Sequence, residues 1–177
     1  MKKLLIPAIA LVLMAALLLG LGFGLSNVAQ WNARQEHLKT MRTLLPGSEN
    51  FTIEIYTGDD ANIRSVHKGE TGFVIETATQ GYADEIVLLV GVSNEGKVTG
   101  LTVRQIHETY GLGNAALTDW EFLAQYLNTA GDAKIGENVD AITGATVTSK
   151  AITRCVNSAV AYVTGADADS GATSWGG

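Results

Sequence analysis

The sequence contains one cysteine, three histidines and no extended run of basic residues. A lone Cys155 cannot close an intrachain disulfide, and three scattered histidines cannot build a clustered metal site by themselves. The 18 acidic and 12 basic side chains give a formal net charge of -6, and the longest basic run is Lys2 and Lys3, too short to neutralise a row of phosphates. These absences argue against a disulfide scaffold, a histidine metal centre and nucleic-acid binding.

One long hydrophobic run is present, at the N-terminus. The stretch from Leu4 to Leu25 carries no charge, and as a helix it would reach about 33 Å, enough to cross a bilayer core of about 30 Å. Because Lys2 and Lys3 precede it, the positive-inside preference predicts a cytoplasmic N-terminus and anchor over residues 1–25 and an extracytoplasmic remainder. We therefore expect a single-pass protein of the cell inner (cytoplasmic) membrane. A cleaved signal peptide is the alternative, since SNVAQ offers a weak small-residue cleavage site.

The residues after the anchor show helical periodicity and then short alternating runs. An amphipathic connecting helix is predicted over 26–47, ended by Pro46 and Gly47, with its apolar stripe formed by Trp31, Leu38, Met41, Leu44 and Leu45. Four strands are then predicted from the segments FTIEIYT, GFVIETAT, EIVLLVGV and VTGLTVRQI. The turn signal from Asn94 to Lys97 indicates that the last two strands form an antiparallel hairpin.

Two helices are predicted in the second half of the chain. The first covers 119–129, with one apolar face formed by Trp120, Leu123, Tyr126 and Leu127. The second covers 147–163, with a stripe formed by Ile152, Val156, Ala159, Val160 and Val163, and its pattern makes Cys155 a small core residue rather than a nucleophile. Residues 165–177 are small, acidic and glycine-rich, and are expected to form a flexible tail. The fold class predicted for 48–164 is α+β, an antiparallel sheet packed with helices, behind one transmembrane helix.

The segment just before the last helix carries the candidate chemistry. It reads DAITGATVTS from Asp140, and it places the hydroxyls of Thr143, Thr146 and Thr148 around the flexible Gly144. A helix start offers unpaired N–H groups and a partial positive charge, which stabilise a phosphate without any lysine. The alternative is that Thr146 or Thr148 only caps the helix, which would contribute about 1 kcal/mol.

DAITGAT resembles the flavin-attachment motif of the FMN-binding domain family, Asp-x-x-Ser/Thr-Gly-Ala-Thr, and matches it at every fixed position. The resemblance implies that the Thr146 oxygen is esterified to the FMN phosphate by a separate flavin transferase. It also implies that Asp140 belongs to the signal read by that transferase. Thr143, Gly144 and Ala145 would shape the phosphate cradle, with Thr148 beside it.

A second segment, HETYGLG from His107, resembles the family signature His-x-Glu-Thr-Pro-Gly-Leu-Gly. The spacing from histidine to glutamate is one residue shorter and Tyr110 replaces the proline, so the role of His107 stays open. The resemblance implies a loop beside the flavin ring that includes Glu108, Thr109, Leu112 and Gly113.

Two further patterns compete with these. GLGNAA, from Gly111, fits a loose dinucleotide fingerprint, but the sequence predicts no parallel βαβ unit around it. DADSGAT, from Asp167, satisfies the attachment pattern a second time and offers Thr173. We favour Thr146, because only four residues follow Thr173 and no helix could orient a phosphate there.

Taken over the chain up to about Thr164, the likeness is to the G subunits of Rnf-type electron-transport complexes, and in plan to the C subunit of the sodium-pumping quinone reductase. It implies an electron-carrying subunit of an ion-translocating ferredoxin:NAD oxidoreductase, working with other membrane and redox subunits rather than as a complete enzyme. Two alternatives stay open. One is a free-standing anchored flavoprotein for extracytoplasmic electron transfer; the other is a non-redox anchored binding domain.

Overall fold

An antiparallel sheet of five strands organises the domain. The computed structural model describes residues 28–105 and 119–166, together with Met14. The strands run in chain order as β1 (Thr52–Glu54), β2 (Ile63–Lys68), β3 (Gly72–Gln80), β4 (Glu85–Ser93) and β5 (Val98–Gln105). The helices are α1 (residues 28–44), α2 (Trp120–Ala124) and α3 (Thr146–Thr164). The predicted α+β class with an antiparallel sheet is confirmed.

One face of the sheet packs against α3. Side chains alternate across a strand, so the fully buried Ile75 and Val90, which pair across β3 and β4, point to the same side. They join a hydrophobic core to which α3 contributes Ile152, Val156, Ala159 and Val160. The predicted stripe of α3 is confirmed at these four positions, and Val163 packs against the core while remaining partly exposed.

The opposite face of the sheet is covered by the end of α1. Met41, Leu44 and Leu45 are buried there, and the Thr99 hydroxyl donates a 2.6 Å hydrogen bond to the Leu44 carbonyl. Gly91 makes this approach possible, because a Cβ on it would lie 2.2 Å from the Leu44 carbonyl oxygen. The helix predicted to stop at Pro46 and Gly47 ends at residue 44.

The predicted hairpin is confirmed. β4 and β5 pair in antiparallel register, and the Ser93 N–H donates to the Lys97 carbonyl over 2.8 Å. Gly96 has a φ of 77°, a left-handed conformation that favours glycine in such a turn.

The sequence pattern does not predict β2. Its register with β3 shifts between Ile63 and Ser65, so that a bulge puts the buried Ile63 and Val66 on the same side although three positions separate them. That spacing hides the period of two by which strands are recognised. β1 covers only Thr52–Glu54 at the edge of the sheet, and its Ile53 is 76% exposed.

The predicted helix over 119–129 is shorter than expected, and its predicted apolar face is only half confirmed. α2 has five residues, and turns follow it from 125 to 128. The predicted face is wrong at Trp120, which is 73% exposed, and at Leu127, which is 41% exposed. Tyr126 of the predicted face is buried as expected, and Leu123 packs against the core while partly exposed. Phe122, which the predicted face does not include, is also buried, and the Phe122 and Tyr126 rings make an edge-to-face contact at 5.5 Å. With so short a helix, this pair rather than a long stripe decides which side faces the core.

The chain divides into two compact units, Met1–Thr40 and Met41–Gly177. In the described part of the first unit, residues 28–40 are helical, with Trp31 63% exposed. Within the described ranges no helix combines the length and apolar character needed to cross a membrane. The predicted anchor from Leu4 to Leu25 lies outside those ranges except for Met14, and Thr173 lies outside them too.

We predict that the Cys155 thiol does not react in the folded protein. Cys155 is fully buried on α3, and burial raises the pKa of its thiol to about 12, so neither access nor thiolate is available at pH 8. A maleimide added at pH 8 should label the native protein at less than about a hundredth of the rate seen in denaturant. Rapid stoichiometric labelling without denaturant would contradict this packing of α3.

Candidate functional site

The start of α3 has no side-chain cap. The N-cap residue is Ala145, with φ −122° and ψ 33°, and it makes no side-chain capping hydrogen bond. Thr146 is the first helical residue and is exposed, whereas Thr148 is buried. The structure therefore does not support the alternative in which either threonine is the cap. The first turn also carries no acidic residue, so the partial positive charge of this 19-residue helix meets no carboxylate on its own first turn.

A tight turn leads into the helix. The Ala145 N–H donates to the Ile142 carbonyl over 2.9 Å, and Gly144 has a φ of 81°. A positive φ at the third position of a four-residue turn favours glycine, which explains the glycine of the motif. Thr143 and Gly144 are exposed, while Ala145 is buried. The turn thus presents the middle of DAITGAT to solvent and anchors its end.

Two side chains outside the heptapeptide hold this segment. Gln125, just after α2, pairs with the Asp140 main chain: the Asp140 N–H donates to its Oε1 over 2.8 Å, and its Nε2 donates to the Asp140 carbonyl at 3.4 Å. The Ser149 hydroxyl accepts from the Ile142 N–H at 3.2 Å and donates to the Ala145 carbonyl at 3.0 Å. The Asp140 side chain is exposed. Sequence reasoning missed Gln125, because a residue 15 positions upstream leaves no local pattern.

A buried hydrogen-bond network lies beneath the turn. The Tyr126 and Thr153 hydroxyls are 2.8 Å apart, and the Thr153 hydroxyl donates to the Ser149 carbonyl over 2.9 Å. Burial raises the pKa of Tyr126 well above its usual range, so its hydroxyl keeps its proton at physiological pH. The network ties the turn that follows α2 to the first turns of α3.

The second predicted segment lies outside the described residues. This applies to His107, Glu108, Thr109, Leu112 and Gly113, and equally to the GLGNAA pattern that overlaps them. In the parts of the chain that the structure describes, no group of three or more histidine, cysteine, aspartate or glutamate residues is placed to hold a metal ion.

Comparison with known proteins decides the family. A family model described as an FMN-binding domain matches residues 81–161, which include the turn and the start of α3. The G subunit of the proton-translocating ferredoxin:NAD(+) oxidoreductase complex of Clostridium ljungdahlii is 33% identical over 146 residues, which is 78% of this chain and 78% of that protein. This chain belongs to the family of G subunits of ion-translocating oxidoreductase complexes.

Two further G subunits are also similar to this chain. The G subunit of the ion-translocating oxidoreductase complex of Methanosarcina acetivorans is 34% identical, over 73% of this chain and 76% of that protein. The G subunit of the Na(+)-translocating complex of Acetobacterium woodii is 36% identical over 61% of this chain and 54% of that protein, so the chain spans about half the length of that relative. The crystal structure of Shewanella oneidensis NqrC aligns with 22% identity and a TM-score of 0.46, covering 66% of this chain and 65% of that one.

The resemblance read from DAITGAT is therefore confirmed at the level of the family and its FMN-binding domain. In this member of the G-subunit family, the described part of that domain is the sheet from β4 onward, α2, the turn at 142–145 and most of α3. The geometry at the start of α3 also fits a phosphate group. It offers an exposed threonine at position 146, a helix start without a capping side chain and no carboxylate in the first turn.

Proposed function

We propose that this chain is an electron-carrying subunit with FMN joined through its phosphate to Thr146. It would serve in a membrane-bound, ion-translocating ferredoxin:NAD oxidoreductase, together with other membrane and redox subunits. The proposal rests on membership of the G-subunit family and on the FMN-binding domain at 81–161. Ferredoxin and NAD are proposed as reactants of the complex because the names of the relatives include them.

The observation that carries the proposal is that Thr146, which has a hydroxyl side chain, is exposed at the first position of α3. A phosphoester there would lie at the electropositive end of a 19-residue helix whose N-cap is an alanine. The unpaired N–H groups of the first turn can donate to phosphate oxygens, and Gly144 leaves room for close approach to the backbone. A helix start of this kind stabilises a phosphate without a basic side chain.

Esterification at Thr146 requires an activated donor, since a free phosphate monoester does not condense with an alcohol in water. A flavin dinucleotide belongs to the right class. Thr146 Oγ would form a bond to the flavin-side phosphorus, the bond from that phosphorus to the bridging oxygen would break, and a nucleoside monophosphate would leave. The hydroxyl proton would pass to a base of the transferase, and no electrons change hands in this step.

Once bound, FMN supplies the redox chemistry, while the protein supplies position and electrostatics. The turn at 142–145 and the first turn of α3 would fix the phosphate. Glu108, Thr109, Leu112 and Gly113 are proposed to lie beside the ring, following the resemblance of their segment. A phosphoester leaves the ring free to react and prevents loss of the cofactor.

We also propose that Leu4–Leu25 anchors the chain and that Lys2 and Lys3 keep its N-terminus in the cytoplasm. The FMN-binding domain would then work outside the cytoplasm, where free FMN cannot be replenished. This arrangement gives covalent attachment a clear advantage over reversible binding.

The intact mass of the native chain should exceed the mass of its sequence by about 438 Da, the mass that one esterified FMN adds. Protein purified from cells with an active flavin transferase should show this increment and a fluorescent band after denaturing electrophoresis. Protein from the same cells without the transferase is the matched control and should show neither. An unmodified mass from transferase-containing cells would overturn the covalent assignment.

A further inference from the structure

We propose that Gln125 and Ser149 are positioning residues that shape the attachment loop, residues 140–145, for esterification of Thr146. The inference rests on the proposed function, because it concerns how that same site is presented to the transferase. Neither residue belongs to the DAITGAT heptapeptide, and neither side chain needs to touch flavin. Their contacts are to the main chain of the loop.

Gln125 fixes where the loop begins. Its amide accepts from the Asp140 N–H at 2.8 Å and donates to the Asp140 carbonyl at 3.4 Å, so one side chain satisfies both main-chain groups as a neighbouring strand would. With its backbone held in this way, Asp140 keeps its carboxylate exposed. An exposed and oriented carboxylate is available for recognition by another protein.

Ser149 fixes where the loop ends. Its hydroxyl accepts from Ile142 and donates to Ala145, the first and last residues of the turn, and the turn closes through its own bond between those two residues. Ser149 is fully buried, so these bonds do not compete with bulk water. The role needs a group that donates and accepts at once, which alanine cannot supply and threonine can.

A buried hydrogen-bonded network lies beneath both Gln125 and Ser149. Tyr126 follows Gln125 directly and is fully buried, and its hydroxyl contacts that of Thr153, which in turn donates to the Ser149 carbonyl. The two contacts to the loop are therefore linked, because Gln125 is the chain neighbour of Tyr126 and Tyr126 is connected through Thr153 to Ser149. A transferase would meet a loop whose shape is already set, with Thr146 displayed at its end.

This arrangement distinguishes the two heptapeptides that match the attachment pattern. Three residues after Thr146 the chain has Ser149, whereas three residues after Thr173 it has Gly176. Glycine cannot clamp a turn through its side chain. The two heptapeptides therefore share the fixed positions of the motif, but only the one ending at Thr146 is followed by a serine that can hydrogen-bond to the loop.

The test compares initial rates of flavin incorporation into the full chain. Wild type, Gln125→Ala, Ser149→Ala and Ser149→Thr are each incubated with the purified transferase and flavin adenine dinucleotide, and covalent flavin is read by in-gel fluorescence. We expect Gln125→Ala and Ser149→Ala to lower kcat/KM for the protein substrate roughly tenfold or more, and Ser149→Thr to stay within about threefold of wild type. Circular dichroism and thermal unfolding are recorded for every variant.

Ser158→Ala is the matched control, because Ser158 is a buried serine on the same helix that contacts Asn62 instead of the loop. If Ser158→Ala slows incorporation as much as Ser149→Ala, the effect is one of general stability and the positioning role is overturned. Wild-type rates in folded Gln125→Ala and Ser149→Ala would overturn it as well. Should Ser149→Ala not fold, Gln125→Ala alone decides. Absence of covalent flavin in the wild type would instead refute the proposed function.

Discussion

Thr146→Ala is expected to abolish covalent flavin completely. The substitution removes the only atom of this residue that can form a bond to phosphorus, and the neighbouring main chain offers no substitute nucleophile. The exposed position of Thr146 means that its loss leaves no cavity in the core. After denaturing electrophoresis the fluorescent band should be absent, and the intact mass should return to that of the sequence.

Two further variants make this result specific. Thr146→Ser keeps a hydroxyl and should retain part of the fluorescence, while Thr173→Ala should leave it unchanged because the sequence around Thr173 predicts no helix start that could orient a phosphate. Circular dichroism must show that Thr146→Ala is folded. A folded Thr146→Ala protein that still fluoresces, together with a dark Thr173→Ala protein, would move the attachment site to the tail.

Gly91→Ala is expected to lower the free energy of unfolding by about 1–3 kcal/mol, the usual range for inserting a methyl group into a tightly packed site. The new Cβ would lie 2.2 Å from the Leu44 carbonyl oxygen and 2.8 Å from Thr99 Oγ1. The clash would therefore fall on backbone and on the hydrogen bond that ties Thr99 to Leu44. Urea denaturation followed by circular dichroism measures the change.

Gly100→Ala is the matched control for that measurement. Gly100 pairs with Gly91 on the neighbouring strand and faces the same Leu44, but a Cβ there would be 3.1 Å from its nearest atoms. The neighbours need to give only a few tenths of an ångström, so a smaller loss of stability is expected. Equal free energies of unfolding for the two variants would contradict the close contact between Gly91 and the Leu44 carbonyl.

Much of this fold follows from local patterns. β3, β4, β5 and α3 were predicted within a few residues because their apolar positions keep a regular period, and the Asn94–Lys97 turn marks the hairpin. The sequence pattern does not predict β2, because a bulge between Ile63 and Ser65 interrupts the alternation of buried and exposed residues. The predicted apolar face of this region is wrong at Trp120 and Leu127, because a five-residue helix is oriented by its contacts rather than by a stripe.

Part of the candidate site can likewise be predicted from the sequence, and part of it cannot. The heptapeptide at 140–146 and the helix after it could be read directly, since hydroxyls, glycine and the helix start are adjacent in the chain. The hydrogen bond between the Gln125 side chain and the Asp140 main chain could not be predicted, because it depends on how the end of α2 packs beside the loop. Local sequence therefore reveals which atoms are chemically suited to the site, and the tertiary structure reveals what holds them.

The order of the sheet has a consequence for how the protein is made. Every strand pairs with its neighbour in the chain, so hairpins can close one after another while later segments are still being synthesised or exported. Among the described elements α3 comes last, and Ser149 lies on it. A chain cut short before α3 would carry DAITGA without the hydrogen bonds from Ser149, whereas a chain that includes α3 has these bonds to Ile142 and Ala145. If Thr146 is esterified as proposed, attachment follows the folding of this domain, and a bound flavin marks a molecule that has already folded.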